Sequence, residues 1–107
     1  MADTLELREG ESVEKEIKGD YWEKSFCFYS QKTGKYWFTN ERIIFRGGFI
    51  AAVDIPYTDI ESVKACNVGP LIPFLPTGVK VSTKDGKTYK LSVLKRKEII
   101  AFIESKM

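Results

Sequence analysis

The chain has 107 residues, 43% hydrophobic and 30% charged, enough for one small domain with a real core and a polar surface. It contains no histidine, which excludes Ser-His-Asp and Cys-His catalysis and every histidine-ligated metal site. The formal net charge of +2 conceals a division: residues 1–24 hold eight acids and four bases, whereas residues 78–97 hold seven bases against Asp85 alone.

No apolar run approaches the roughly 20 residues that cross a bilayer, and the N-terminus lacks the apolar stretch of a secretory signal. A cytoplasmic chain is expected, with any membrane contact peripheral. Cys27 and Cys66 stand 39 positions apart, with no C-x-x-C and no second pair. They read as two reduced, small apolar residues, and a disulfide between them stays open. No cofactor is implied.

Residues 1–10 read as a flexible acidic lead-in to a single domain spanning 1–107, and Gly10 marks a turn. Ser12–Lys18 carries only Val13 and Ile17 as apolar residues and signals a half-exposed strand weakly. Tyr21–Tyr29 is rich in aromatics, and Gln31-Lys32-Thr33-Gly34 reads as a turn.

Lys35–Gly47 is the clearest hairpin. A two-residue turn at Asn40-Glu41, where Asn tolerates the left-handed conformation needed, or a four-residue loop from Thr39 to Arg42 with the same register, pairs Phe38 with Ile43 and Tyr36 with Phe45 on one face, and Trp37 with Ile44 on the other. Ala51–Ile55 is a strand ended by Pro56, Tyr57-Thr58-Asp59 a turn, and Ile60–Asn67 a further strand with a less regular pattern.

Val68–Pro76 combines three prolines, which oppose a central strand or a helix, with Val68, Leu71, Ile72, Phe74 and Leu75. Gly78–Val93 is a second hairpin. A three-residue loop Lys84-Asp85-Gly86, with Gly86 at positive φ, pairs Val81 with Tyr89 and Val79 with Leu91. Residues 95–106 close the chain as a helix whose stripe is Ile99, Ile100, Phe102 and Ile103. Several short strands and one terminal amphipathic helix indicate a mainly β barrel or orthogonal sandwich with one end capped.

Gly34-Lys35-Tyr36-Trp37-Phe38-Thr39-Asn40-Glu41-Arg42-Ile43-Ile44-Phe45 resembles the G-K-x-Y-x-T-N-x-R-x-I-F hairpin of GRAM and bacterial pleckstrin-homology-like (PH-like) domains. Its tyrosine stands one place early. Ile55–Ile60 is similar to that family's I-P-hydrophobic-x-D-I turn, and Thr83–Lys87 resembles its penultimate hairpin. The resemblance implies a partly open barrel of about seven antiparallel strands in two near-orthogonal sheets, capped by a C-terminal helix. It implies a non-enzymatic module that binds phosphoinositides, membranes or protein segments. The basic K-x(n)-[KR]-x-R signature of phosphoinositide binders is not matched between Ile17 and Lys35, where Asp20 and Glu23 interrupt Lys18, Lys24 and Lys32.

The candidate anion- or lipid-binding residues are Lys80, Lys84, Lys87, Lys90, Lys95, Arg96 and Lys97. The hairpin register sets Lys80 opposite Lys90, and the bases at 95–97 crowd a helix start that disfavours cations. An external anion, the acidic N-terminus, or simple edge protection by solvated lysines would each account for them. Leu71, Ile72, Phe74 and Leu75 are candidate apolar contacts, either plugging the barrel or exposed to a membrane or partner. Tyr21, Trp22 and Trp37 suit the core better than a ligand groove. Nucleic acid is disfavoured by the modest pI near 8.5. The expected role is binding an anionic phospholipid surface or acidic ligand. The alternative is a protein–protein or self-association module using strand edges and the 68–76 loop.

Overall fold

A computed structural model describes residues 6–25, 28–47, 51–69 and 75–107. Its strands are β1 Val13–Ser25, β2 Phe28–Thr39, β3 Arg42–Gly47, β4 Ala51–Pro56, β5 Ile60–Val68, β6 Leu75–Thr83 and β7 Thr88–Val93, followed by helix α1 Arg96–Lys106. All seven pair antiparallel, in the order β4-β3-β2-β1-β7-β6-β5, and form a curled half-barrel. The two halves of the expected barrel are one hydrogen-bonded sheet, continuous through β1. That strand pairs with β2 along one side and with β7 over residues 19–22 on the other. A 3-10 turn, Tyr57–Asp59, joins edge strands β4 and β5.

Both hairpin registers read from the sequence are present. They put Tyr36, Phe38, Ile43, Phe45, Val79, Val81 and Leu91 on the inner face, all fully buried. A one-residue slip of either hairpin would carry these side chains to solvent, which is why the alternation fixes the pairing. Gly86 has φ 90° and closes the second hairpin as expected. The first turn differs. Asn40 is not left-handed, because Lys95 is the only non-glycine residue at positive φ among the described residues. The Thr39 hydroxyl builds the turn instead, accepting the Glu41 and Arg42 N–H groups at 3.0 and 2.9 Å.

Gln31–Gly34 is not a turn but the interior of β2. Gly19, Gly34 and Gly47 face one another across β1, β2 and β3. A Cβ on Gly34 would lie 2.3 Å from the Arg46 carbonyl oxygen and 2.6 Å from the Gly47 Cα. The glycines therefore mark close strand approach where the sheet curls, not a break in it. Residues 13–25 correspondingly form one 13-residue strand, β1, and the aromatic stretch 21–29 is divided between β1 and β2, with residues 26–27 outside the described residues. Pro76 likewise lies inside β6, beyond the Cys66/Val68 irregularity of β5 and before the first β7 partner at Gly78. No ladder donor is needed there on the β7 side.

The hairpin motif Thr39-Asn40-Glu41-Arg42 clasps residues 6–12. Arg42 donates from Nε to Glu11 Oε2 at 2.8 Å and from its second amino group to Glu11 Oε1 at 3.1 Å and the Glu6 carbonyl at 3.1 Å. Thr39 Oγ1 is 2.7 Å from Glu11 Oε2, and the Arg8 N–H donates to Glu11 Oε1 at 2.9 Å. Asn40 exchanges backbone and side-chain bonds with Ser12 and Gly10. This part of the acidic lead-in is thus bound to the barrel.

Helix α1 buries Ile99 and Ile103, and Phe102 meets Phe38 edge-on at 5.8 Å. The Lys15 and Lys106 ammoniums sit 5.6 and 5.4 Å from the Phe102 ring, and Lys106 pairs with Glu14 at 2.6 Å. The helix begins one residue later than expected because Lys95 is its N-cap, at φ 56° and ψ 46°. A β-carbon in that conformation costs about 1 kcal/mol. Lys95→Gly is therefore expected to raise stability by about 0.5–1 kcal/mol in thermal melts, whereas Lys95→Ala, which keeps the β-carbon, gains less.

Candidate binding face

The outer face of β5, β6 and β7 carries the basic residues the sequence singled out. Lys64, Lys80 and Lys90 stand directly opposite one another across the three strands, and the rung continues to Trp22 on β1. Directly opposite residues have Cα atoms about 4.5–5.5 Å apart, close enough for each pair of ammoniums to repel. Ser62, Ser82 and Thr88 form a neighbouring rung of hydroxyls on the same face. Cys66 lies on the other flank, opposite Gly78, and its carbonyl accepts from Arg96 at 3.0 Å. Burial pushes the Cys66 thiol upward, while Lys90, Lys80 and Arg96 pull it back, which places all three cations around it.

Of the predicted residues, Lys80, Lys90 and Arg96 come together here. Lys84 and Lys87 are exposed at the β6–β7 tip, where Asp85 accepts from the Thr83 hydroxyl and the Lys87 N–H and is held below the usual carboxylate range. Lys97 is exposed on the first helical turn, and Lys95 turns to a different surface, the seam between α1 and β1. Leu71, Ile72 and Phe74 lie outside the described residues, and Leu75 opens β6, half-buried opposite Val68. Lys64 was missed. The register shifts in β5 at Ile60/Ser62 and Cys66/Val68 hide its alignment with Lys80 from a simple alternation.

The acids of residues 11–16 are engaged elsewhere: Glu11 by Arg42, Glu14 by Lys106 and Glu16 by Lys35 at 2.9 Å. The Lys35 ammonium and the Trp37 N–H, at 3.0 Å, hold the Glu16 carboxyl below its usual range. Asp20, on the rung next to Lys90, accepts from Gln31 at 2.5 Å. None of the ion pairs among the described residues involves Lys64 or Lys80.

Of the aromatic candidates, Trp22 and Trp37 are buried on the outer face of the sheet, and Tyr21 is half-buried against the core, where it also lines a cleft with Tyr89. Trp37 is buried under the Lys35 ammonium, 5.4 Å from its ring. Tyr21 packs on Phe45 and Tyr89, and burial first, then the Tyr89 and Glu23 charges, push its phenol up to about 12. Trp22 is 4% exposed, and its N–H has no hydrogen-bond partner among the described residues.

No helix of the described residues is long and apolar enough to cross a membrane. No family model and no curated protein matches the chain. Among solved structures it is similar to the C-terminal domain of an unknown protein from Leishmania infantum, at 19% identity and a TM-score of 0.72. The match covers 92% of this chain and 85% of that one, a likeness of fold.

Proposed function

We propose that the chain is a non-enzymatic, PH-like binding module that docks the outer face of β5–β6–β7 on an anionic membrane surface. One observation carries this reading. Edge protection explains a lysine on β5, which is an edge strand, but Lys80 and Lys90 are on interior strands β6 and β7 that need none. Lys64 and Lys80, directly opposite each other and in none of the ion pairs among the described residues, raise the energy of the free protein by a few tenths of a kcal/mol. A negatively charged surface removes that cost. Lys64 and Lys80 are exposed on the sheet surface, which suits an extended charged layer better than a small molecule.

Co-sedimentation with phosphatidylcholine vesicles, with and without phosphatidylserine, tests the reading. Binding is expected only with the acidic lipid and should fall as salt rises. At about 1 kcal/mol for each lysine near such a surface, Lys64→Ala/Lys80→Ala/Lys90→Ala should weaken binding about 100-fold. The triple variant should stay folded by circular dichroism, so that its loss of binding reads the removed charges. Equal partition to both vesicle types would sink the reading, as would wild-type binding by the folded triple variant.

A further inference from the structure

Apart from the lysine rung, a second surface stands out: the seam where β7 leaves β1. Strand β1 pairs with β2 along its length, but β7 accompanies it only from Gly19 to Trp22. The register Gly19↔Val93 would next set residue 94 against Lys18 and residue 95 against Ile17. Instead the chain bends away, and Lys95 enters the left-handed region to start α1. Below Gly19, β1 has no β7 partner, and its residues 15–18 line a cleft of about 400 Å³.

The cleft has an apolar floor and a basic rim. Ile17, Leu94 and Ile99 line it together with Lys15, Lys18 and Lys95. Leu94 is 80% exposed, the most exposed large apolar residue among those described. Two acids also line the cleft, but Glu16 is already held by Lys35 and Trp37, which leaves Glu98 against three lysines. Left-handed lysine at its mouth is backbone strain of the kind that gathers at binding sites.

We propose that this seam binds an extended acidic peptide of a partner protein, added as a strand to β1 along Lys15–Lys18. The incoming strand would take the line β7 abandons at Val93, cover about 13 Å of open ladder, and rest its apolar side chains on Ile17, Leu94 and Ile99. An open ladder asks for backbone donors and acceptors, which a peptide has and a lipid chain lacks. A second copy of this chain is the poorer occupant. Symmetric β1–β1 pairing would bring Lys15, Lys18 and Lys95 of each copy toward those of the other.

Fluorescence anisotropy with a tagged peptide of alternating glutamate and valine tests this, using an alternating lysine–valine peptide and a backbone N-methylated glutamate peptide as comparators. The glutamate peptide should bind, and both comparators should bind at least about tenfold more weakly. Lys18→Glu and Leu94→Asp, both at exposed positions, should each weaken the glutamate peptide about tenfold or more, and Lys18→Glu should improve the lysine peptide. Amide exchange should slow across residues 13–18 on binding. The Lys64→Ala/Lys80→Ala/Lys90→Ala variant should bind the peptide normally, which separates this site from the membrane reading. Absence of binding, equal affinity for the three peptides, or protection confined to β4 or β5 would overturn the proposal. So would concentration-dependent protection of 13–18 without peptide, which would give the edge to a second copy.

Discussion

Glu11→Gln is expected to lower stability by about 3 kcal/mol at neutral pH, and to remove the part of the acid sensitivity between pH 5 and 2 that this carboxyl carries. Arg42 holds the Glu11 carboxyl by two hydrogen bonds, and the Arg8 N–H and Thr39 hydroxyl add to it. Together they outweigh burial and lower its pKa from 4.5 to about 2. A carboxyl depressed in the folded state contributes stability above its unfolded pKa, and that contribution is lost as pH falls through the folded value. The wild type should therefore weaken progressively from about pH 5 downward, and Glu11→Gln should flatten that slope. Arg42→Met strands the carboxylate and should cost as much, whereas Glu11→Leu/Arg42→Met, which leaves no unpaired charge, should recover much of the loss. Urea unfolding at neutral, mildly acidic and strongly acidic pH reads all three variants. An unchanged midpoint with an unchanged acid slope in Glu11→Gln would show that the clasp on residues 6–12 carries no stability.

That clasp marks the boundary of what could be read without coordinates. The hairpins at 36–45 and 79–91 were legible because their inner faces are uniformly apolar, so only one register buries them. The helix was legible from the spacing of Ile99, Phe102 and Ile103. Strand β1 was legible only weakly and in its first half, because Glu16, Lys18 and Asp20 line its outer face and Gly19 interrupts its inner one. The T-N-x-R motif was visible, but the partner that gives Arg42 its role lies 31 residues earlier, in a segment that reads as an acidic lead-in. For the basic face, the pairing of Lys80 with Lys90 followed from one hairpin register. Lys64 depended on two irregularities in β5 that local sequence does not announce. The β1–α1 seam had no signal at all, since it is made by the place where one strand stops accompanying another. Local alternation reveals which residues pair, but not where a ladder ends.

Gly34→Ala should cost about 3 kcal/mol or more, although it adds one methyl group and Gly34 is not among the described residues at positive φ. The methyl would lie 2.3 Å from the Arg46 carbonyl oxygen, 2.6 Å from the Gly47 Cα and 2.8 Å from the end of the Phe45 ring. The first two are backbone atoms, so no rotamer change relieves them, and β2 and β3 must move apart. Phe45 is fully buried and packed against Tyr36 with tilted rings 4.7 Å apart, so the ring has little room to yield. Gly86→Ala is the natural comparison. Its β-carbon would meet nothing within 4 Å, and only its φ of 90° opposes the change, a penalty of about 1–2 kcal/mol. Urea unfolding should therefore rank Gly34→Ala as the more damaging, the reverse of the order that backbone conformation alone predicts. The row also makes a claim about coupling. A Cβ on Gly47 would lie 2.7 Å from the Gly34 Cα, so either substitution alone forces the same separation of β2 from β3. Once Gly34→Ala has opened that pair, adding Gly47→Ala should cost clearly less than it does alone, by more than the roughly 0.5 kcal/mol expected of independent sites. Additive losses would mean that the two strands relax separately, and that the curl of the sheet does not depend on the three glycines approaching one another.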